Sequence, residues 1–177
     1  GFTMISNIVL ATDGSGHANH AQKTAIDLAV KYDAKLTLVH ILTHDHPPAE
    51  MERMVDVEHM AGPDPLEGSN LSDISMTMGR MLGGSNLADK EAHVIVALGE
   101  QIIKTVSRAA KEAGVKDVAS EIRPGDYANG ILDVAKRVDA DLIVMGRRGL
   151  STLKGFVTGS VSHKVSQRAN CSVLTVK

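Results

Sequence analysis

One stretch of the 177-residue chain limits what the whole can become: DLIVMGRRGLSTLKGFVTGSV, residues 141–161. Leu142, Ile143, Val144 and Met145 form an apolar run with the length and branching of a buried strand. Gly146 ends the run, Gly149 and Gly159 follow, and Ser160 stands directly after the last glycine. From there Val161, Val165 and Ala169 recur at helical spacing, so a second element begins where the glycines stop. Glycine lets a backbone approach a ligand with no Cβ in the way. A helix start capped by serine presents unpaired N–H groups and the positive end of the helix dipole. Strand, glycine turn and helix N-terminus therefore make an anion cradle, and the anion these usually hold is phosphate. Arg147, Arg148 and Lys154 add positive charge to the same loop. The plain alternative is a turn with three convenient glycines.

Upstream the same alternation recurs. Asn7–Thr12 is an apolar run broken by Asp13-Gly14-Ser15-Gly16. Ala18, Ala21, Ala25, Leu28, Ala29 and Tyr32 mark one helical face, and Ala34–Leu42 reads as a second strand. Strand, helix and strand of these lengths imply a parallel pair with a right-handed crossover. Residues 43–85 break the pattern with prolines, glycines and six of the eight methionines. We read them as a flexible insertion in a single domain spanning residues 4–177. Asn86 restarts a helical stripe through Val94, Ile95, Leu98, Ile102, Val106, Ala109, Ala110 and Ala113. Val115–Arg123 is the third strand, Asp126 caps a helix running to Val138, and Ser172–Val176 is the fifth strand. Such an order gives an α/β fold, an open parallel five-stranded sheet with helices on both faces.

Gly146-x-x-Gly149, nine intervening residues and then Gly159-Ser160 resembles the nucleotide-binding signature of the universal stress protein family. It is neither a Walker A loop nor a G-x-G-x-x-G fingerprint. Asp13 with Gly14-Ser15, and Pro124-Gly125 before a helix at Asp126, are similar to that family too. The resemblance covers residues 5–43 and 86–177, and the insertion is longer than the family usually has there. It implies a Rossmann-like sheet in the order 3-2-1-4-5. In such a sheet ligands bind at the strands' carboxyl ends where the connection reverses, between Asp13 and Gly146.

By the same resemblance Ala11, Thr12, Asp13, Ile41 and Met145 hold an adenosine. Gly146, Arg148, Gly149, Gly159, Ser160 and the N–H of Val161 take the phosphates. The implied ligand is ATP, although AMP and cyclic AMP offer the same adenine, ribose and phosphate. Asp13 either holds Mg²⁺ against the phosphates, bonds a ribose hydroxyl or bonds the turn's own amides. The family also implies a homodimer through strand 172–176, whose apolar edge would otherwise lie unpaired. Nucleotide occupancy would then tune an interaction with a protein partner of unknown identity. Two other functions stay open: a nucleotide-free dimeric module acting through the Met-rich insertion, and a slow ATP phosphohydrolase. The full glycine spacing argues against the first, since family members that do not bind ATP lack it.

Composition narrows the field further. Nineteen basic against 21 acidic residues, a net charge of −2, give no case for a nucleic acid or an acidic membrane. No apolar run nears the roughly 18 residues of a membrane span. The lone Cys171 fits a reducing cytoplasm. Eight histidines include His17-x-x-His20 and His40-x-x-x-His44-x-His46, but neither group has the spacing with cysteine or carboxylate that a zinc site uses. We therefore expect solvated histidines and no metal site. No G-x-S-x-G elbow surrounds Ser15, and no acid beside the glycine loop offers itself as a base, so fast turnover is disfavoured.

Overall fold

The computed structural model describes residues 4–14, 16–42, 86–147 and 160–177. Within them the chain runs β1 (Asn7–Ala11), α1 (Gly16–Tyr32), β2 (Lys35–Leu42), α2 (Asn86–Glu112), β3 (Val118–Pro124), α3 (Tyr127–Arg137), β4 (Leu142–Gly146), α4 (Ser160–Arg168) and β5 (Ser172–Val176). The strands form one parallel sheet in the order β3-β2-β1-β4-β5, as the family resemblance implies. The first strand thus lies in the middle of the sheet, flanked by β2 and β4. Residues 43–85, read from the sequence as an insertion, lie outside the described residues.

Strand alternation divides the core in two. Ile8 and Leu10 of β1, Leu36, Leu38 and Leu42 of β2, and Leu142 and Val144 of β4 pack with α1 and α2. Val9, Val39, Ile41, Ile143 and Met145 point the other way and pack with α3 and α4 through Ala128, Ile131, Val134 and Val165. Central strands buried on both faces are largely apolar, which is why β1, β2 and β4 read as apolar runs, with Thr37 and His40 of β2 as buried polar members. Ala21, Ala25 and Ala29 bring α1 close to the sheet. Tyr32, placed on that face by spacing, is 42% exposed, and Ile26 is buried instead.

The third strand begins later than its apolar content suggests. Val115 is buried, but its N–H bonds to Ala110 O at 3.0 Å, so it closes the end of α2 and does not join the ladder. The sheet picks up at Val118, opposite Leu36. Asp126 caps α3 as its sequence position predicts, its carboxylate accepting from Asn129 N–H at 2.9 Å. No helix among the described residues is long and apolar enough to cross a membrane.

Candidate functional site at the ends of β1 and β4

The carboxyl ends of β1 and β4 lie side by side, with Ala11 opposite Met145. The helices that follow them lie on different faces of the sheet. After β1 the chain enters α1, which belongs to one face of the sheet. After β4 it continues to α4, whose Val165 belongs to the other. In an open parallel sheet such a reversal marks a crevice where ligands usually bind.

Most of the sequence-predicted site residues that the structure describes converge on this crevice. Ile41 and Met145 are buried, and Ala11 and Val161 pack against the same cluster, so these four share the α3–α4 face. Ile41 is covered by α3, where a Cβ on Gly130 would stand only 2.5 Å from Ile41 Cδ1. That contact fixes how near α3 comes to the end of β2. Thr12 is buried and Asp13 half-buried at the tip of β1. Its next residue, Gly14, has φ of +77°, a conformation that glycine adopts without a Cβ penalty. Gly146 closes β4, paired with Val176 of β5, and Arg147 N–H extends the ladder to Val176 O at 2.7 Å. Ser160 is the first residue of α4, whose first turn carries no acid to oppose an anion. Arg148, Gly149 and Gly159 lie outside the described residues.

One expectation is overturned. His40 is not solvated: it is 8% exposed, on the same side of β2 as Leu38 and Leu42, and its Nδ1–H donates to the Thr12 carbonyl at 2.8 Å. The signal was available, since a residue in period-two register with Leu36, Leu38 and Leu42 faces the core. Of the other histidines, His20 is exposed with Nδ1 3.0 Å from Lys177 O, and His44 and His46 lie outside the described residues. Among the described residues no three His, Cys, Asp or Glu side chains gather as metal ligands would. Cys171, just before β5, is half-buried, and burial with the nearby Asp141 carboxylate pushes its thiol pKa up.

The family model described as the universal stress protein family matches residues 4–177. The chain belongs to that family. Universal stress protein MJ0531 of Methanocaldococcus jannaschii is 33% identical over 177 residues, covering 100% of this chain and 85% of that protein. Stress response protein NhaX of Bacillus subtilis is also 33% identical, over 96% of each chain. Universal stress protein UspA from Lactobacillus plantarum superposes with a TM-score of 0.65 at 22% identity, over 98% of each chain. A universal stress protein in complex with cAMP gives 0.60 at 23% identity over 98% of each chain. One from Archaeoglobus fulgidus in complex with dAMP gives 0.53 at 19%, again over 98% of each. At these identities the structures establish a shared fold.

Proposed function

We propose that this universal stress protein binds an adenine nucleotide, ATP first among the candidates, between the ends of β1 and β4. One observation carries the reading: Ala11 and Met145 are paired neighbours whose chains depart to opposite faces, with the start of α4 beside them. Ala11, Ile41 and Met145 supply an apolar wall for adenine, and Thr12 and Asp13 supply polar atoms for the ribose. Gly146, Gly149, Gly159, Ser160 and the N–H of Val161 supply backbone and hydroxyl donors for phosphate. Arg148 adds charge, and Mg²⁺ would bridge the phosphates in the triphosphate form. The relatives of this fold in complex with cAMP and dAMP support an adenine nucleotide over other anions.

Occupancy acts as a signal in this reading. Without a positioned base, hydrolysis runs no faster than on the order of one per minute, against roughly 10 per second for an ordinary enzyme. The protein works as a homodimer in which β5 of each subunit pairs across a two-fold axis. β5 is the sheet edge next to β4, with Val173, Leu174 and Val176 only partly buried. Nucleotide-dependent contacts with another protein then transmit the state of the site.

The test begins with freshly purified protein, heat-denatured so that any bound nucleotide is released and identified by mass. The stripped protein is then titrated with ATP, AMP and cyclic AMP by calorimetry. The absence of both released adenine nucleotide and binding at millimolar concentration would sink the reading. It would favour the nucleotide-free interaction module. A monomer in light scattering at micromolar concentration would remove the dimer alone.

A further inference from the structure

His40 sits where β1 ends. The Thr12 N–H still makes a sheet bond, to Val39 O at 3.0 Å, whereas the Thr12 carbonyl takes its bond from the His40 ring at 2.8 Å. A carbonyl can only accept, so His40 carries a proton on Nδ1 in either charge state. A trans peptide is planar, with its C=O and the following N–H pointing opposite ways. Anchoring the Thr12 carbonyl therefore fixes the Asp13 N–H, directs it away from the imidazole, and sets where the Asp13 side chain starts.

The ring is itself held in place by α2. A Cβ on Gly99 would come within 2.8 Å of His40 Cδ2 and 2.8 Å of Leu42 Cδ2, so the helix backbone lies directly against the imidazole. Ile102, one turn further on, stands 2.9 Å from where a Gly14 Cβ would be. One helix thus backs both the histidine and the turn that follows Asp13.

We propose that His40 is a positioning residue of the nucleotide site, holding the Thr12–Asp13 peptide in the orientation that meets the nucleoside, with Gly99 holding the ring. The inference rests on the adenine-nucleotide reading and assigns a role to a side chain that does not touch the ligand. Its effect falls on the adenosine end, so adenosine and ATP feel it equally. A histidine that merely satisfied a buried carbonyl would change the stability of the fold and leave ligand affinity alone.

The experiment compares four proteins, each titrated with adenosine and with ATP well below its melting temperature. His40→Leu fills the space without a donor and should weaken both ligands about tenfold, the factor carried by one lost hydrogen bond's worth of preorganisation. His40→Asn places an amide N–H near the former Nδ1 and should restore binding to within about threefold of the parent. Gly99→Ala keeps the histidine but displaces its ring, and should weaken both ligands while the helix gains propensity. It carries the test if His40→Leu does not fold. A lower melt for His40→Leu with parental affinity for both ligands overturns the proposal, as does a loss confined to ATP. A parent that binds neither ligand overturns the nucleotide reading and this inference with it.

Discussion

The two strand ends that face each other at the crevice are held by different means. At β1 the core does the holding: a buried imidazole anchors the Thr12 carbonyl, and Ile102 of α2 lies against Gly14. At β4 the buried Met145 leads into backbone pairing, with Gly146 opposite Val176 and the Arg147 amide on Val176 O. In the proposed reading the adenosine end is an extension of the hydrophobic core, so a change there should be felt first by the fold. A change among the glycines assigned to the phosphates should instead be felt first by the ligand. Under that proposal affinity can be altered at one end without unfolding the other.

The sharpest way to break this contrast is Gly149→Val. A side chain in the glycine loop should meet phosphate before it meets core. Nucleotide binding should fall beyond detection, while stability drops by about 1 kcal/mol if φ is negative and more if it is positive. Calorimetry beside a thermal melt reads both, and parental affinity would reduce the loop to a turn. Gly14→Ala should show the reverse balance. Its φ of +77° and the 2.9 Å approach to Ile102 predict a loss of about 1–2 kcal/mol in denaturant unfolding. Binding should fall as well, because the turn carries Asp13. A variant as stable as the parent would mean that this turn is not tied to the core.

Ser160→Ala should be milder than either. It would remove one hydroxyl from the proposed phosphate contacts, worth roughly 1 kcal/mol, and should spare adenosine binding entirely. Weakened adenosine binding in this variant would blur the proposed division of the site. The smallest effect concerns Cys171, whose thiol pKa is raised by burial and by the nearby Asp141 carboxylate. Alkylation by iodoacetamide should therefore run slower than for free cysteine, because less thiolate is present. Gly14→Ala should speed it by populating unfolded chain, whereas Gly149→Val should barely change it.

Much of this was legible in the sequence because buried parallel strands announce themselves as apolar runs bounded by glycine or aspartate. Asn7–Ala11 and Leu142–Gly146 follow that rule, whereas the edge strand Ser172–Val176 has neither residue beside it. Val115 broke it, since apolar spacing reports burial and does not say whether the backbone goes to a sheet or to the end of a helix. The paired positions Ala11 and Met145, and the common wall with Ile41 and Val161, followed from strand order once the family pattern supplied it. His40 was missed because a histidine near others invites a choice between metal and solvent. Only the register with Leu38 and Leu42 reveals the third option, a buried hydrogen-bond donor. Gly99 carried the matching signal, an isolated glycine within a helical stripe, which marks a close approach.

The place of β1 in the sheet has a consequence for how the protein is made. β1 emerges first from the ribosome but needs partners on both sides, and β4, ending at Gly146, appears about a hundred residues after β2. At roughly 5–20 residues per second, one edge of Asn7–Ala11 stays unpaired for about 5–20 seconds of synthesis. That edge is apolar from Ile8 to Ala11 and prone to pair with another nascent chain. The closing of β1 against β4 joins residues far apart in sequence, so the crevice can assemble only after β4 has been made. A chain stalled or cut before residue 142 would hold the Asp13 turn without the strand it faces, and would be a substrate for chaperones before it could be a receptor for any nucleotide.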